Sequence, residues 1–242
     1  MRAPDDSPPT SRGTNSSGVS IEEIKETALA VVTDPVSFYR SMPRGGGLVS
    51  PLLFLVAMAI LTTLVGGMVT FLFGGNGPSG TGALLILVLL PVLVAIYYFI
   101  SAGVMYVIWR LMGSQEDYET AFRCLAFASA IMPVTALLGP IPYLGVVVPT
   151  LWGLYLVVTA SQHVHGLDPK TAWIVFGAIS GVLMLMQLGS EVAGRRMGED
   201  MQKLEQRMEG VETMSPEDAG RAIGDFLKGM QDGLGETGTD GK

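Results

Sequence analysis

Four groups of residues in this 242-residue chain have types and spacing that could do chemistry. Gly77-Pro78-Ser79-Gly80 is a glycine-flanked serine of the kind an intramembrane serine hydrolase uses as nucleophile, and His163 or His165 would be its base. Such a pair must meet within hydrogen-bond reach. His163, His165 and Asp168 together offer two nitrogens and a carboxylate to a metal. Two histidines supply half a ligand set at best, and the chain has neither an HExxH motif nor a second cysteine to complete it. Cys124 is the one cysteine, set among apolar residues, which suits a buried thiol better than a reactive one. Pro91, Pro133 and Pro149 lie within long apolar runs, where they could break helices around a pathway.

The elements that carry these residues weigh against catalysis. Between Leu48 and Ser190 the charged residues are Arg110, Glu116, Asp117, Glu119, Arg123, Asp168 and Lys170, gathered in or beside two short polar interruptions. The rest of that stretch is apolar in runs of the length that crosses a bilayer core of roughly 30 Å as a helix. The expected fold is therefore an all-α polytopic membrane bundle with five transmembrane helices. The spans fall at about 49–73, 83–109, 121–139, a fourth ending near Gln162, and 172–189. Ser79 then lies in the first loop and the histidines in the fourth, on opposite faces of the membrane. A turn-rich loop accounts for the serine motif, and a polar interfacial loop accounts for the histidines. The expectation is a protein that is not an enzyme and holds no metal and no cofactor. An ion-coupled transporter would place ionisable groups in mid-membrane, and these spans have none near their centres.

Either side of the spans the composition changes. Residues 1–19 are polar and rich in Ser and Pro, too poor in apolar surface to offset the entropy of ordering, and read as a disordered tail. Residues 20–47 form an amphipathic interfacial segment. Ser20 and Glu23 make a capping box for a first short helix, and Asp34 with Pro35 starts a second. Phe38, Tyr39, Arg40 and Arg44 are the aromatic and cationic side chains expected at the headgroup layer. Gly45-Gly46-Gly47 follows as a joint. The five-span domain covers 48–190, and within its last span Gly177 and Gly181 have the spacing that lets helices approach closely, in a compact bundle or a dimer.

Residues 191–234 read as an amphipathic helical tail, with 235–242 a disordered end. Met197, Met201, Leu204, Met208 and Val211 are spaced four, three, four and three, a coiled-coil stripe that could join two copies. After Ser215 and Pro216 a second stripe runs through Ala219, Ala222, Ile223, Phe226, Leu227 and Met230, so the two helices could instead pair as a hairpin. The formal charge of −7 comes mostly from this tail, with seven Lys/Arg against twelve Asp/Glu from Glu191 onward, and argues against nucleic acid as a partner. Cations in short loops favour the cytoplasm. Arg40, Arg44, Arg110, Arg123 and Lys170 agree on a cytoplasmic N-terminus, with the tail on the opposite side.

Asp34-Pro35 through Phe38-Tyr39 and Met42-Pro43, the glycine joint, and Ser50-Pro51-Leu52 entering the first span resemble the start of a Yip domain, the Ypt-interacting-protein family. The stretch YETAFRCLAFASAIMPVTALLGPIPYLG from Tyr118 is similar to its most recognisable part, as is WGLYLVVTASQHVHGLDPKTA from Trp152. The resemblance runs from Asp34 to Gly189. It implies five spans with a cytosolic N-terminus and supplies no catalytic residues. Eukaryotic members are associated with small GTPases and vesicle traffic. The short N-terminus and the long acidic tail depart from those members and weigh against the trafficking role; the resemblance is to a bacterial-type member, which would sit in the cytoplasmic (inner) membrane if bacterial. The expected role is structural or interaction-based, with the lipid bilayer and other proteins or a second copy as partners. A transporter or lipid-handling protein using the proline-kinked spans is the alternative.

Overall fold

The structure, a computed structural model, describes residues 20–73 and 80–212, with 220–221, 224–225 and 228 as short pieces. It divides into two compact units, Met1–Leu185 and Met186–Lys242. All the described regular structure is helical: α1 Ile21–Thr33, α2 Pro35–Ser41, α3 Val49–Leu72, α4 Thr81–Leu111, α5 Tyr118–Ala128, a 3₁₀ turn Ser129–Ile131, α6 Met132–Ala136, α7 Leu144–His163 and α8 Pro169–Glu212. The serine motif and the turn around Asn76 lie outside the described residues.

The first two helices begin where side chains can serve free amides. Ser20 Oγ accepts from Glu23 N at 3.1 Å while Glu23 Oε2 accepts from Ser20 N at 2.9 Å, a complete capping box. Asp34 accepts from Ser37 N, and Pro35 occupies the first helical position, where its missing N–H costs nothing. These two helices form a strap. Val31, Tyr39 and Met42 of the strap are buried, and Ile24, Ala28, Val32 and Phe38 pack beside them, so one face is withdrawn from water. Each buried large apolar side chain contributes about 2 kcal/mol. Glu22, Lys25, Glu26 and Leu29 are left on the outer face.

Four helices are long and apolar enough to cross a membrane: α3, α4, α7 and the apolar part of α8. The third expected span is not one helix. α5 ends at Ala128, a 3₁₀ turn follows, and α6 restarts at Met132. Pro133 explains the break, because it has no amide to give the carbonyl of Ser129, four residues back, and its ring would clash there. That carbonyl accepts from Met132 N instead, and the Ser129 hydroxyl donates to Ala126 O at 2.6 Å. α4 carries Pro91 without interruption.

A second difference concerns the tail. Its first helix is not a separate element, since α8 continues from the last span to Glu212. Every residue from Pro169 onward can extend it, with no proline in between. Met197 and Met201 are exposed. The side chains of Leu204, Met208 and Val211, and the stripe around Phe226, lie outside what is described.

Within the first unit the core sits at one end of the bundle. Buried side chains come from the start of α3 (Phe54, Leu55, Met58), the last half of α4 (Ala102, Trp109), the end of α7 (Leu156, Val158, Ala160) and the start of α8 (Ala172, Phe176). α5 fills the middle, burying seven of its eleven residues. Towards the other end Leu64, Met68, Phe71 and Leu72 of α3 and Leu84, Leu85, Val88 and Leu89 of α4 are exposed, as lipid-facing residues must be.

Candidate functional site

The polar groups of the packed end form two connected clusters, both built on α5 and its flanking loops. Asp117 caps α5 by accepting from Thr120 N at 2.8 Å, a hydrogen bond that holds its carboxyl below the usual carboxylate range. The capped first turns then present Glu116, Glu119, Thr120 and Arg123 to the segment between α2 and α3. Arg44 Nη1 pairs with Glu116 Oε1 at 2.8 Å, Thr120 Oγ1 donates to Arg44 O at 2.9 Å, Gly47 N donates to Glu119 Oε1 at 2.7 Å, and Arg123 Nη1 donates to Gly47 O at 3.0 Å. Four contacts, three from α5 and one from Glu116 just before it, thus form a latch on a run of four residues. Gly46 and Gly47 have φ values of 118° and 85°, which L side chains rarely adopt, so glycine is required at this joint.

The Arg123 side chain is only 6% exposed, with Glu119 Oε1 at 4.0 Å and the Phe127 ring 5.9 Å from its Cζ. Its Nε has no partner. The joint therefore contains a buried cation with a single hydrogen bond among the described residues.

The second cluster lies where α4, α5 and α7 converge. Trp109 stacks on His165 with ring centroids 3.9 Å apart, and its Nε1 donates to Ser161 Oγ at 2.8 Å. Ser161 in turn donates to Val157 O. Ser114 Oγ and His165 Nδ1 share a hydrogen bond of 2.8 Å, and Glu116 N donates to the same hydroxyl at 3.2 Å. Assigning Nδ1 as acceptor points Nε2–H at Cys124 Sγ, 3.9 Å away. The Cys124 carbonyl accepts from the buried Tyr39 hydroxyl at 3.0 Å. Burial, aided by the charge of Arg44, pushes His165 from 6.5 down to about 4, so the ring is neutral at physiological pH. Burial likewise raises the Tyr39 phenol.

Serine, histidine and cysteine so arranged have the outline of a nucleophile and base, but all three side chains are buried. The void beside Cys124 and Trp109 has about 10 Å³, about one water probe and far below a substrate. The chemistry this arrangement performs best is joining the 113–117 loop, the 164–168 loop and the strap to α5.

The residues singled out in the sequence fall in different places. Tyr39 stands in the core, because its ring fits beside Trp109 and Cys124 and its hydroxyl finds a carbonyl there. Phe38 is half-buried, edge-on to Tyr39 and to Phe127, both at 5.4 Å. Arg40 is exposed, with Nε 3.4 Å from His163 Nδ1, and Arg44 joins the latch. His163 and His165 therefore serve separate contacts, and among the described residues there is no cluster of three or more His, Cys, Asp or Glu able to hold a metal ion. Asp168 caps α8 by accepting from Thr171 N, which holds its carboxyl below the usual range. A Cβ added at Gly177 or Gly181 would meet nothing within 4 Å. Trp109, Ser114 and Ser161 had no signal beyond their place at span ends, where tryptophan reads as an interface residue.

A family model described as the Yip1 domain matches residues 29–190, well over half of the chain. No curated protein and no solved structure matches it. The matched region starts inside α1 and ends in α8, so it includes most of the strap, the latch and the histidine cluster.

Proposed function

The chain belongs to the Yip1 domain family, and on that footing we propose that this multi-pass membrane protein recruits or organises partner proteins at a membrane, without catalysing a reaction. The observation that carries this reading is the pinned strap. Burial of Val31, Tyr39 and Met42 and the hydrogen bond from Tyr39 to Cys124 hold α1 and α2 against the bundle, while contacts from Glu116, Glu119, Thr120 and Arg123 fix the segment from Arg44 to Gly47 that follows them. The strap then presents Glu22, Lys25, Glu26 and Leu29 at a fixed place, ready for a partner. A linker would need none of those contacts.

Five crossings go with this reading, the broken pair α5 and α6 making the third. Together with the intervening turn they extend about 30 Å if laid end to end, enough for a bilayer core. The cations of Arg40, Arg44, Arg110, Arg123 and Lys170 favour a cytoplasmic strap. Photo-crosslinkers placed at Glu26 and Leu29, and at Val88 as a lipid-facing control, test the reading in native membranes. Protein adducts at the strap positions and lipid adducts at Val88 are expected. Lipid adducts alone at all three would overturn it.

The break at Ser129–Pro133 favours a second reading, passage of a neutral or lipidic substrate past a discontinuous helix. Reconstituted vesicles carrying a fluorescent lipid distinguish it. Lipid exchange between leaflets that depends on the protein would support this second reading over the first.

A further inference from the structure

We infer that the glycine joint is a binding site for the phosphate of an anionic lipid headgroup, formed by the N-terminus of α3, the Gly45–Gly47 turn and Arg123. This site is separate from the partner-recruiting face of the strap. Three observations meet there. α3 runs for 24 residues, and its start at Leu48 has no side-chain cap, so no side chain covers its first amides or the positive end of its dipole. Arg123 lies against the same place through its bond to Gly47 O, more than nine-tenths buried, with Nε lacking any acceptor. A buried donor nitrogen without an acceptor, as Arg123 Nε is, calls for an explanation such as an ion. Finally, there is room: a Cβ built on Gly45 or Gly47 would meet nothing within 4 Å, and one on Gly46 would have Arg123 Nη1 as its neighbour at 3.8 Å.

An anion is already foreshadowed at the joint. Glu119 Oε1 accepts from Gly47 N at 2.7 Å and pairs with Arg123 Nη1 at 4.0 Å, too long for a hydrogen bond to the guanidinium. A phosphate offers more acceptor oxygens than one carboxylate and can meet the guanidinium and helix amides together. A lipid is the source the position favours, because the apolar run of α3 begins at Val49 and places Gly45–Leu48 at headgroup depth. Val49 and Ser50 are exposed, so a headgroup can approach.

The test uses the full chain in detergent micelles, with dioleoyl phosphatidic acid, dioleoyl phosphatidylcholine and inorganic phosphate as probes and retained lipid read by native mass spectrometry. Phosphatidic acid should be retained over phosphatidylcholine, and inorganic phosphate at the same concentration should not displace it. Ser50→Asp puts a carboxylate at the α3 N-terminus, where it favours the helix yet repels a second anion. It should weaken retention about tenfold, the scale of one charge-assisted contact, with the thermal midpoint kept or raised. Glu119→Gln removes the competing carboxylate and should strengthen retention, whereas Arg123→Met should weaken it. Equal retention of the two lipids, displacement by inorganic phosphate, or no response to Ser50→Asp in a folded protein would each overturn the proposal. None of these outcomes bears on crosslinking at Glu26 and Leu29.

Discussion

The Tyr39 hydroxyl donates to the Cys124 carbonyl at 3.0 Å, although the two residues are 85 positions apart. Both are buried, so neither group has water as a ready substitute. The bond fastens α2 to the middle of α5, the helix that breaks within the next two turns.

Tyr39→Phe keeps the ring and deletes this bond, leaving the carbonyl to its helical partner alone. The loss should be about 1 kcal/mol, the net worth of a buried neutral hydrogen bond. Thermal denaturation in micelles, followed by fluorescence of the tryptophans, should show a lower midpoint than wild type. An unchanged midpoint would mean that the strap is held by packing alone.

Stability should fall as the medium becomes acidic between about pH 6.5 and 4. His165 has a folded-state value of about 4 against 6.5 when free, so in this window the unfolded chain binds more protons. The contribution is fully present above pH 6.5 and is lost as pH falls through the folded value. The lowered carboxyls of Asp34, Asp117 and Asp168 act with the same sign, below their usual range. His165→Gln should flatten the upper part of this profile in a pH series of midpoints. An identical slope in the variant would exclude the histidine as its source.

Cysteine labelling in a Cys124→Ala background should report the 113–117 loop and the turn around Asn76 on opposite sides. Gln115 is exposed and so is the appropriate probe beside the buried Ser114. Position 115 should react with a membrane-impermeant maleimide from the cytoplasmic side, and position 76 from the other. Reaction of both from one side would remove the α3–α4 crossing pattern.

Self-association through the tail should depend on the stripe formed by Met197, Met201, Leu204, Met208 and Val211. Truncation after Gly189 and the single change Leu204→Asp should each lower the yield of crosslinked dimer in membranes. A stripe of about two heptads is marginal alone, so the effect should be partial if Gly177 and Gly181 form a second contact. Unchanged yield in both variants would assign any assembly to the spans.

What could be read from sequence was what depends on near neighbours. Capping by Ser20 with Glu23 and by Asp34 is a relation across three residues, and the long apolar spans follow from runs without charge. The break in the third span needed a further comparison, since Pro91 and Pro133 look alike in an apolar run yet only Pro133 interrupts its helix. At Pro133 the chain turns into a 3₁₀ segment in which Met132 N serves the freed Ser129 carbonyl. The latch and the histidine cluster were hidden for another reason. Glu119 meets Gly47 across 72 positions and His165 meets Ser114 across 51, and no local pattern encodes such meetings. Tyr39 beside two arginines has the composition of an interfacial ring, and only the groove between α5 and α7 makes it a core residue.

Because the closely packed side chains of the first unit gather at one end, the two leaflets of a bilayer would not be equivalent to this protein. One leaflet borders a tied block in which strap, loops and helices share buried contacts. The other borders the far halves of α3 and α4, whose large side chains are mostly exposed. Acyl chains fill the space around those halves, and the lateral pressure of the lipid governs how far they part. A change in chain length or saturation would therefore act on the open end and leave the tied end as it is.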